Sequence, residues 1–266
     1  YPNILSDAKI GKEATNLFND AKQMLKQAIE EKWLTANAVI GFYPANSVGD
    51  DIEIYTDDDR KTVLNKVCNL RQQSQKHTDK PYYCQSDFIA PKDSGVKDYL
   101  GFFALTAGIG VEELAKKFEA DHDDYKSIML KAIADRLAEA FAEHLHERVR
   151  REFWGYAPNE NLSNEQIIRM QYRGIRPAPG YPACPDHTEK PIIWNVLDAA
   201  NTAGVTLTES NAMIPAASVS GHYFAHPESC YFSLGQIIKD QVEDYAKRKN
   251  MAVDEVEKWL RPNLGY

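Results

Sequence analysis

The most informative absences in this sequence of 266 residues are long apolar runs, an export signal and an excess of basic residues. No apolar run approaches the roughly 20 residues that a membrane helix needs, so we expect no membrane partner. The first residues, from Tyr1 to Leu5, have neither a basic region nor an apolar core, and we predict no secretory signal. Acidic residues outnumber basic ones by 39 to 31, and the net charge of −8 argues against nonspecific nucleic-acid binding.

Cysteine is scarce and scattered. Cys68, Cys84, Cys184 and Cys230 match no short zinc spacing, and such isolated thiols are typical of a reducing compartment. We therefore predict no metal site and a cytoplasmic location. Cys184 and His187 could suggest a metal site or a Cys–His nucleophile, but no second pair of ligands accompanies them. A Gly-x-Gly-x-x-Gly motif after a strand is also missing, which disfavours a Rossmann-type fold.

The composition is that of an ordinary globular domain. Hydrophobic residues make up 43% and charged residues 26% of the chain. A chain of this length buries roughly 70–75% of its unfolded surface, so its core needs no disulfide or metal support. We find no internal repeat and no linker, and we predict one domain over residues 1–266.

Periodicity and turn residues predict interleaved helices and strands. The predicted helices are 12–33, 61–72, a long region 111–151 with a break at 121–124, 163–170, 191–200, 236–249 and 253–260. The predicted strands are 38–42, 51–55, 86–90, 99–106, 205–209, 218–225 and 231–234. In the longest helix, an apolar stripe from Tyr125 and Ile128 to Leu145 is expected to face the core. Alternation within the strands favours a single α+β domain, with a largely antiparallel twisted sheet flanked by helices, one of them a long core helix.

The amino-acid composition changes between residues 173 and 185, where four prolines and two glycines exclude regular structure. Proline fixes φ, so this segment is stiff, and Gly180 permits an unusual φ or the close approach of a ligand. Arg176 offers a planar set of donors suited to a carboxylate. Two interpretations remain open. The segment is either a ligand-binding ledge or a structural crossover in which a core carboxylate satisfies Arg176.

An acidic row accompanies the long helix. Asp135, Glu139 and Glu143 recur at intervals of four residues, a like-charge arrangement that is unfavourable unless cations answer it. Either a bound cationic ligand or an arginine of the chain could supply the positive charge.

The run from Arg176 to Lys190, RPAPGYPACPDHTEK, resembles the S-adenosylmethionine-binding signature of cobalamin-dependent methionine synthase, whose core is an Arg, three residues and then Gly-Tyr. The resemblance extends along almost the whole chain and includes residues 48–52, 122–125, 132–148, 154–160, 218–221, 240–246 and 262–266. It implies the C-terminal activation domain of a larger multidomain enzyme, and the chain is expected to be an N-terminally incomplete fragment of it.

The family resemblance also implies roles for individual residues. Arg176 is expected to hold the carboxylate of S-adenosylmethionine, and backbone groups around Ala178 and Gly180 to meet its adenosyl part. Tyr181 is expected to face the cobalamin. The remaining ligand contacts that the resemblance implies are Tyr231, Phe232 and Glu139, the last for the ammonium group. A further ligand-binding aspartate of the family precedes the point where this sequence starts.

In that family a flavodoxin-type protein reduces the inactive corrin, which a neighbouring domain of the same enzyme holds, and the activation domain supplies the methyl group. A sulfonium is a good leaving group and the reduced corrin a strong nucleophile, so we predict alignment of reactants and no general acid or base here. The alternative is an interaction module that senses S-adenosylmethionine without transferring its methyl group.

Overall fold

Five antiparallel strands form the central sheet, in the order β3-β2-β1-β4-β7. The structure is a computed structural model and describes residues 3–75 and 81–266. A separate pair, β5 and β6, forms a small antiparallel ribbon. The strands are β1 (Thr35–Val48), β2 (Asp51–Tyr55), β3 (Val63–Val67), β4 (Asp98–Ile109), β5 (Thr206–Leu207), β6 (Met213–Ile214) and β7 (Ser218–Tyr223).

Helices cover both faces of this sheet. They are α1 (Gly11–Glu30), α2 (Val111–Ala120), α3 (Asp124–Arg148), α4 (Asn164–Ile168), α5 (Lys190–Leu197), α6 (Ala199–Thr202), α7 (Lys239–Lys249) and α8 (Val253–Leu260). One wider helical turn, Val149–Phe153, extends α3. Within the described ranges, no helix has the length and apolar character needed to cross a bilayer.

The alternation of side chains along β4 divides the core into two layers. Phe103 and Leu105 point toward α3, whereas Phe102 and Ala104 point toward α5, and all four are fully buried. Small residues such as Ala138 let α3 approach the sheet closely. The prediction of a single α+β domain, with a largely antiparallel sheet and one long core helix, is confirmed.

Three element predictions are wrong. Residues 61–72, predicted as a helix, contain β3, which pairs with β2 as an antiparallel strand. Residues 86–90, predicted as a strand, lie partly in a short 3-10 helix, Gln85–Phe88, where the Asp87 carboxylate accepts the Cys84 N–H at 2.8 Å. Residues 231–234, predicted as a strand, have no regular structure.

The predicted core stripe of α3 is only partly buried. Met129, Ile133 and Leu145 are buried, but the side chains of Tyr125 and Ile128 are 52% and 68% exposed. The alanines on the buried face bring it nearest the sheet, so the side that carries the larger Tyr125 and Ile128 turns toward solvent. The apolar spacing therefore located the helix correctly and misplaced the centre of its buried face.

Candidate functional site

Residues 175–185, called the ledge from here on, lie along the free edge of β7. Ile175 and Phe224 exchange two backbone hydrogen bonds of 3.0 Å each, and the His222 N–H donates to the Pro177 carbonyl at 2.9 Å. At Gly221 a side chain would collide with that carbonyl. The ledge is thus fixed to the sheet by backbone pairing, although its prolines prevent it from forming a full strand.

A tight turn follows at Gly180, whose φ of +99° is left-handed. Its N–H donates to the Cys184 carbonyl at 2.7 Å, and the Tyr181 N–H donates to the Ala178 carbonyl at 3.1 Å. The His187 ring occupies the space that a Cβ at position 180 would need. Both the backbone angle and the close packing therefore require glycine here, as the sequence suggested.

The far end of the ledge is anchored by a buried charge cluster. The Lys249 ammonium donates to the Asp186 carboxylate at 2.8 Å and to the Glu189 carboxylate at 2.5 Å. Tyr245 adds a hydrogen bond to Asp186 at 2.9 Å. Burial raises the pKa of Glu189 to about 7, although Lys249 opposes this. This cluster ties α7 to the end of the ledge.

A cleft of about 440 Å³ opens beside the ledge, within the size range of small-molecule sites. Six of the seven predicted ligand contacts line it, and Gly180 lies in the adjoining turn. The lining residues are Glu139, Arg176, Pro177, Ala178, Tyr181, Pro182, Ala183, Val219, Tyr231, Phe232 and Ser233. The sequence-based selection therefore converges on one cleft that combines a cation, a carboxylate and three aromatic rings.

The guanidinium of Arg176 already has hydrogen-bond partners within the protein. Its Nη2 donates to the Glu143 carboxylate at 2.7 Å, and its Nη1 donates to the Tyr172 hydroxyl at 3.0 Å and lies 3.3 Å from Nδ1 of His146. Burial acts against the charge, but Tyr172, Tyr231 and Glu143 raise the pKa of Arg176 and keep it ionised. Arg176 thus has an internal carboxylate partner, as expected if the segment is a structural crossover. It also lines the cleft, as expected if the segment binds a ligand.

His146 forms the floor under this arginine. It is fully buried, stacks on Tyr223 at a centroid distance of 5.2 Å, and meets the Tyr172 ring edge-on. Burial and the charges of Arg150 and Arg176 hold its pKa well below the usual range. A neutral imidazole can accept a hydrogen bond from Arg176, which a charged one could not.

The rim of the cleft carries the predicted aromatic and acidic residues. Tyr181 is 54% exposed, and its hydroxyl lies 3.5 Å from the Glu139 carboxylate, at the limit of hydrogen bonding. The Tyr231 hydroxyl accepts the backbone N–H of Arg176 at 3.0 Å. Phe232 packs against Tyr83 at a centroid distance of 5.8 Å. Cation, anion and rings therefore surround one small space.

Comparison with known proteins places the chain in a family. The family model for the vitamin B12 dependent methionine synthase activation domain matches residues 1–250. The chain belongs to this family. The crystal structure of the MetH reactivation domain bound to AdoHcy is 60% identical in sequence, with a TM-score of 0.95 over 100% of this chain and 82% of that chain. The family predicted from the RPAPGYPACPDHTEK run is confirmed.

The alternative chemistry at Cys184 finds no support in this activation domain. Cys184 is buried, and burial raises the pKa of its thiol well above the usual value, so a thiolate nucleophile is disfavoured. The neighbouring His187 is packed against Gly180. In the part of the chain that the structure describes, no three His, Cys, Asp or Glu side chains form a metal-binding group.

Sequence analysis missed two contacts of Arg176 in this domain, Tyr172 and His146. Neither residue was assigned a role in the ligand site from the sequence. Glu143 was part of the acidic row, and the cation that answers it is Arg176, 33 residues away in sequence. Pairings at this separation leave no local signal in the sequence. Tyr172 lies four residues before Arg176, and that short spacing is the one signal that could have indicated their contact.

Proposed function

We propose that the cleft beside the ledge binds S-adenosylmethionine and presents its methyl group to a reduced corrin during reactivation of methionine synthase. The observation that carries this proposal is the convergence of Arg176, Glu139 and the aromatic rings on one cleft of suitable size. The ligand has a carboxylate, an ammonium, a sulfonium and a flat adenine. Each of these groups has a counterpart among the residues that line the cleft.

Arg176 is assigned to the ligand carboxylate and Glu139 to its ammonium. Backbone groups at Ala178 and Gly180 would meet the adenosyl part, and Tyr231 and Phe232 would pack beside the ligand. Aromatic faces attract a sulfonium by cation–π interaction, worth about 0.5–2 kcal/mol. The exposed ring of Tyr181 at the rim would then face the corrin, which a neighbouring domain of the full enzyme would hold.

The transfer needs no proton. The carbon–sulfur bond breaks with its electron pair moving to sulfur, which becomes a neutral thioether, while the methyl carbon accepts the electron pair of the reduced corrin. The domain's task is to hold the methyl group in line with its acceptor, which lowers the barrier through orientation. A flavodoxin-type protein would deliver the electron that first reduces the corrin.

Binding is tested by changing Arg176. In Arg176→Ala, we expect the dissociation constant for S-adenosylhomocysteine to rise by about 10- to 100-fold, since a charged hydrogen bond contributes about 1.5–3 kcal/mol. Isothermal titration calorimetry measures this, with Arg169→Ala as a matched surface control, because Arg169 is exposed and pairs with Glu165 on α4. An unchanged affinity in Arg176→Ala would exclude the assignment.

Transfer is tested separately, because an interaction module would use the same cleft. The corrin is supplied on its carrier domain in the reduced state, together with S-adenosylmethionine labelled on the methyl group. Label on the corrin supports an enzyme domain. Binding without movement of the label supports a sensing module instead.

A further inference from the structure

Tyr172 occupies a joint between the ledge and α3. Its hydroxyl accepts a hydrogen bond from Nη1 of Arg176 at 3.0 Å. Its ring stands edge-on to His146 at 5.2 Å, and the Arg150 guanidinium lies 4.0 Å from the ring centroid. Arg150 is itself fully buried and held by the Glu160 carboxylate at 2.7 Å. Tyr172 is therefore clamped from two directions, and its hydroxyl has a defined position.

The contacts of Arg176 define which edge of its guanidinium is available. Tyr172 and His146 lie at Nη1, and Glu143 accepts from Nη2. Within residues 3–75 and 81–266, Nε of Arg176 has no hydrogen-bond acceptor. A carboxylate that binds at Nε would therefore not displace the residues already bound to the other two nitrogens.

Tyr172 also lies close to Tyr231, another predicted ligand contact. Burial raises the pKa of the Tyr231 hydroxyl, and Arg176 and Tyr172 partly offset that rise. Tyr231 also accepts the backbone N–H of Arg176. The main chain and the side chain of Arg176 are thus both tied to this pair of tyrosines, which limits the movement of the guanidinium.

We propose that Tyr172 is a positioning residue that holds the Arg176 guanidinium so that its Nε edge faces the carboxylate of the adenosyl ligand. This inference rests on the proposed function, because it needs a ligand carboxylate at Arg176. Tyr172 does not touch the ligand in this arrangement. Its effect should therefore depend on whether the ligand has a carboxylate, whereas a purely structural role would affect every ligand equally.

The test compares two ligands by calorimetry on the full 266-residue chain. One is S-adenosylhomocysteine, and the other is S-adenosyl-3-thiopropylamine, in which hydrogen replaces the carboxylate. In Tyr172→Phe, we expect affinity for the first to fall about three- to ten-fold, the usual effect of one lost hydrogen bond, and affinity for the second to stay within about twofold. Tyr156→Phe is the control, because its hydroxyl contacts the Arg173 carbonyl and not Arg176.

Equal losses for both ligands, or no loss for S-adenosylhomocysteine, would overturn the inference while leaving the proposed function intact. Failure of the unaltered chain to bind either compound would refute the proposed function and this inference with it. A double-mutant cycle gives an independent measurement. If Tyr172 acts through Arg176, then Tyr172→Phe in an Arg176→Lys background costs no further affinity, and fully additive losses would contradict the proposal.

Discussion

Loss of the buried ammonium of Lys249 should strongly destabilise this domain. It contacts Asp186, Thr188 and Glu189, and the side chains of Lys249, Asp186 and Glu189 are only 9%, 3% and 1% exposed. Lys249→Met removes the cation and leaves two carboxylates without their counter-charge. Breaking a buried ion pair in this way typically costs about 3–5 kcal/mol, a large part of the roughly 5–15 kcal/mol that stabilises a domain.

The raised pKa of Glu189 predicts at which pH the loss of Lys249 costs more stability. The pKa of Glu189 is raised from 4.5 to about 7 by burial. A raised carboxyl pKa favours the folded state below the unfolded value, and this contribution is lost as pH rises from 4.5 through 7. Without Lys249 the main opposition to that burial effect is lost, so the ionised cluster is penalised further. We therefore expect Lys249→Met to destabilise the domain more at pH 8 than at pH 5.

Urea unfolding followed by circular dichroism at both pH values measures the effect. Lys247→Met is the matched control, because Lys247 lies on the same helix and is exposed. The control should change the free energy of unfolding by no more than about 0.5 kcal/mol. A loss below about 1 kcal/mol for Lys249→Met, or an equal loss at both pH values, would refute the reasoning about an uncompensated buried charge.

Two further predictions concern the ledge and the long helix. Gly180→Ala should destabilise the domain by about 1–3 kcal/mol and weaken ligand binding, because alanine would have to adopt a left-handed φ and its Cβ would meet the His187 ring. Gly95→Ala is the control in the same unfolding and calorimetry experiments. Gly95 has a φ of +70° and open space around it, so this variant measures the cost of the backbone angle alone. Leu130 is fully buried and Ile128 is exposed. Leu130→Ala should therefore cost about 2–5 kcal/mol by denaturant unfolding, whereas Ile128→Ala should change stability by no more than about 0.5 kcal/mol. Similar losses at the two positions would contradict the observed orientation of α3.

Local signals predicted the helices well and the pairing partners poorly. The strand 51–55 and the helix 253–260 match the structure residue for residue, because alternation and helical spacing are properties of neighbouring residues. The strand Val63–Val67 was assigned to a helix, since only its partner β2 makes it extended. The prediction of which face of α3 is buried was partly wrong for the same reason, because the sheet that α3 covers decides which of its faces is inside.

The candidate site shows the same division. Six of the eleven residues that line the cleft were predicted from the family pattern. The arginine's inner partners were not, because Glu143, His146 and Tyr172 reach Arg176 only after α3 has packed behind the ledge. The motif therefore predicts residues that line the cleft, and the fold decides how the motif is held.

The way the ledge is held bears on how it could act. Backbone pairing with β7 fixes its start, the left-handed turn at Gly180 packs on His187, and the Lys249 cluster fixes its end. Each proline adds stiffness between these points without requiring a hydrogen bond. A surface fixed in this way loses little conformational freedom when a ligand arrives, which lowers the entropic cost of binding. For a reaction that needs alignment and no proton transfer, such rigidity is itself the main contribution that the protein can make.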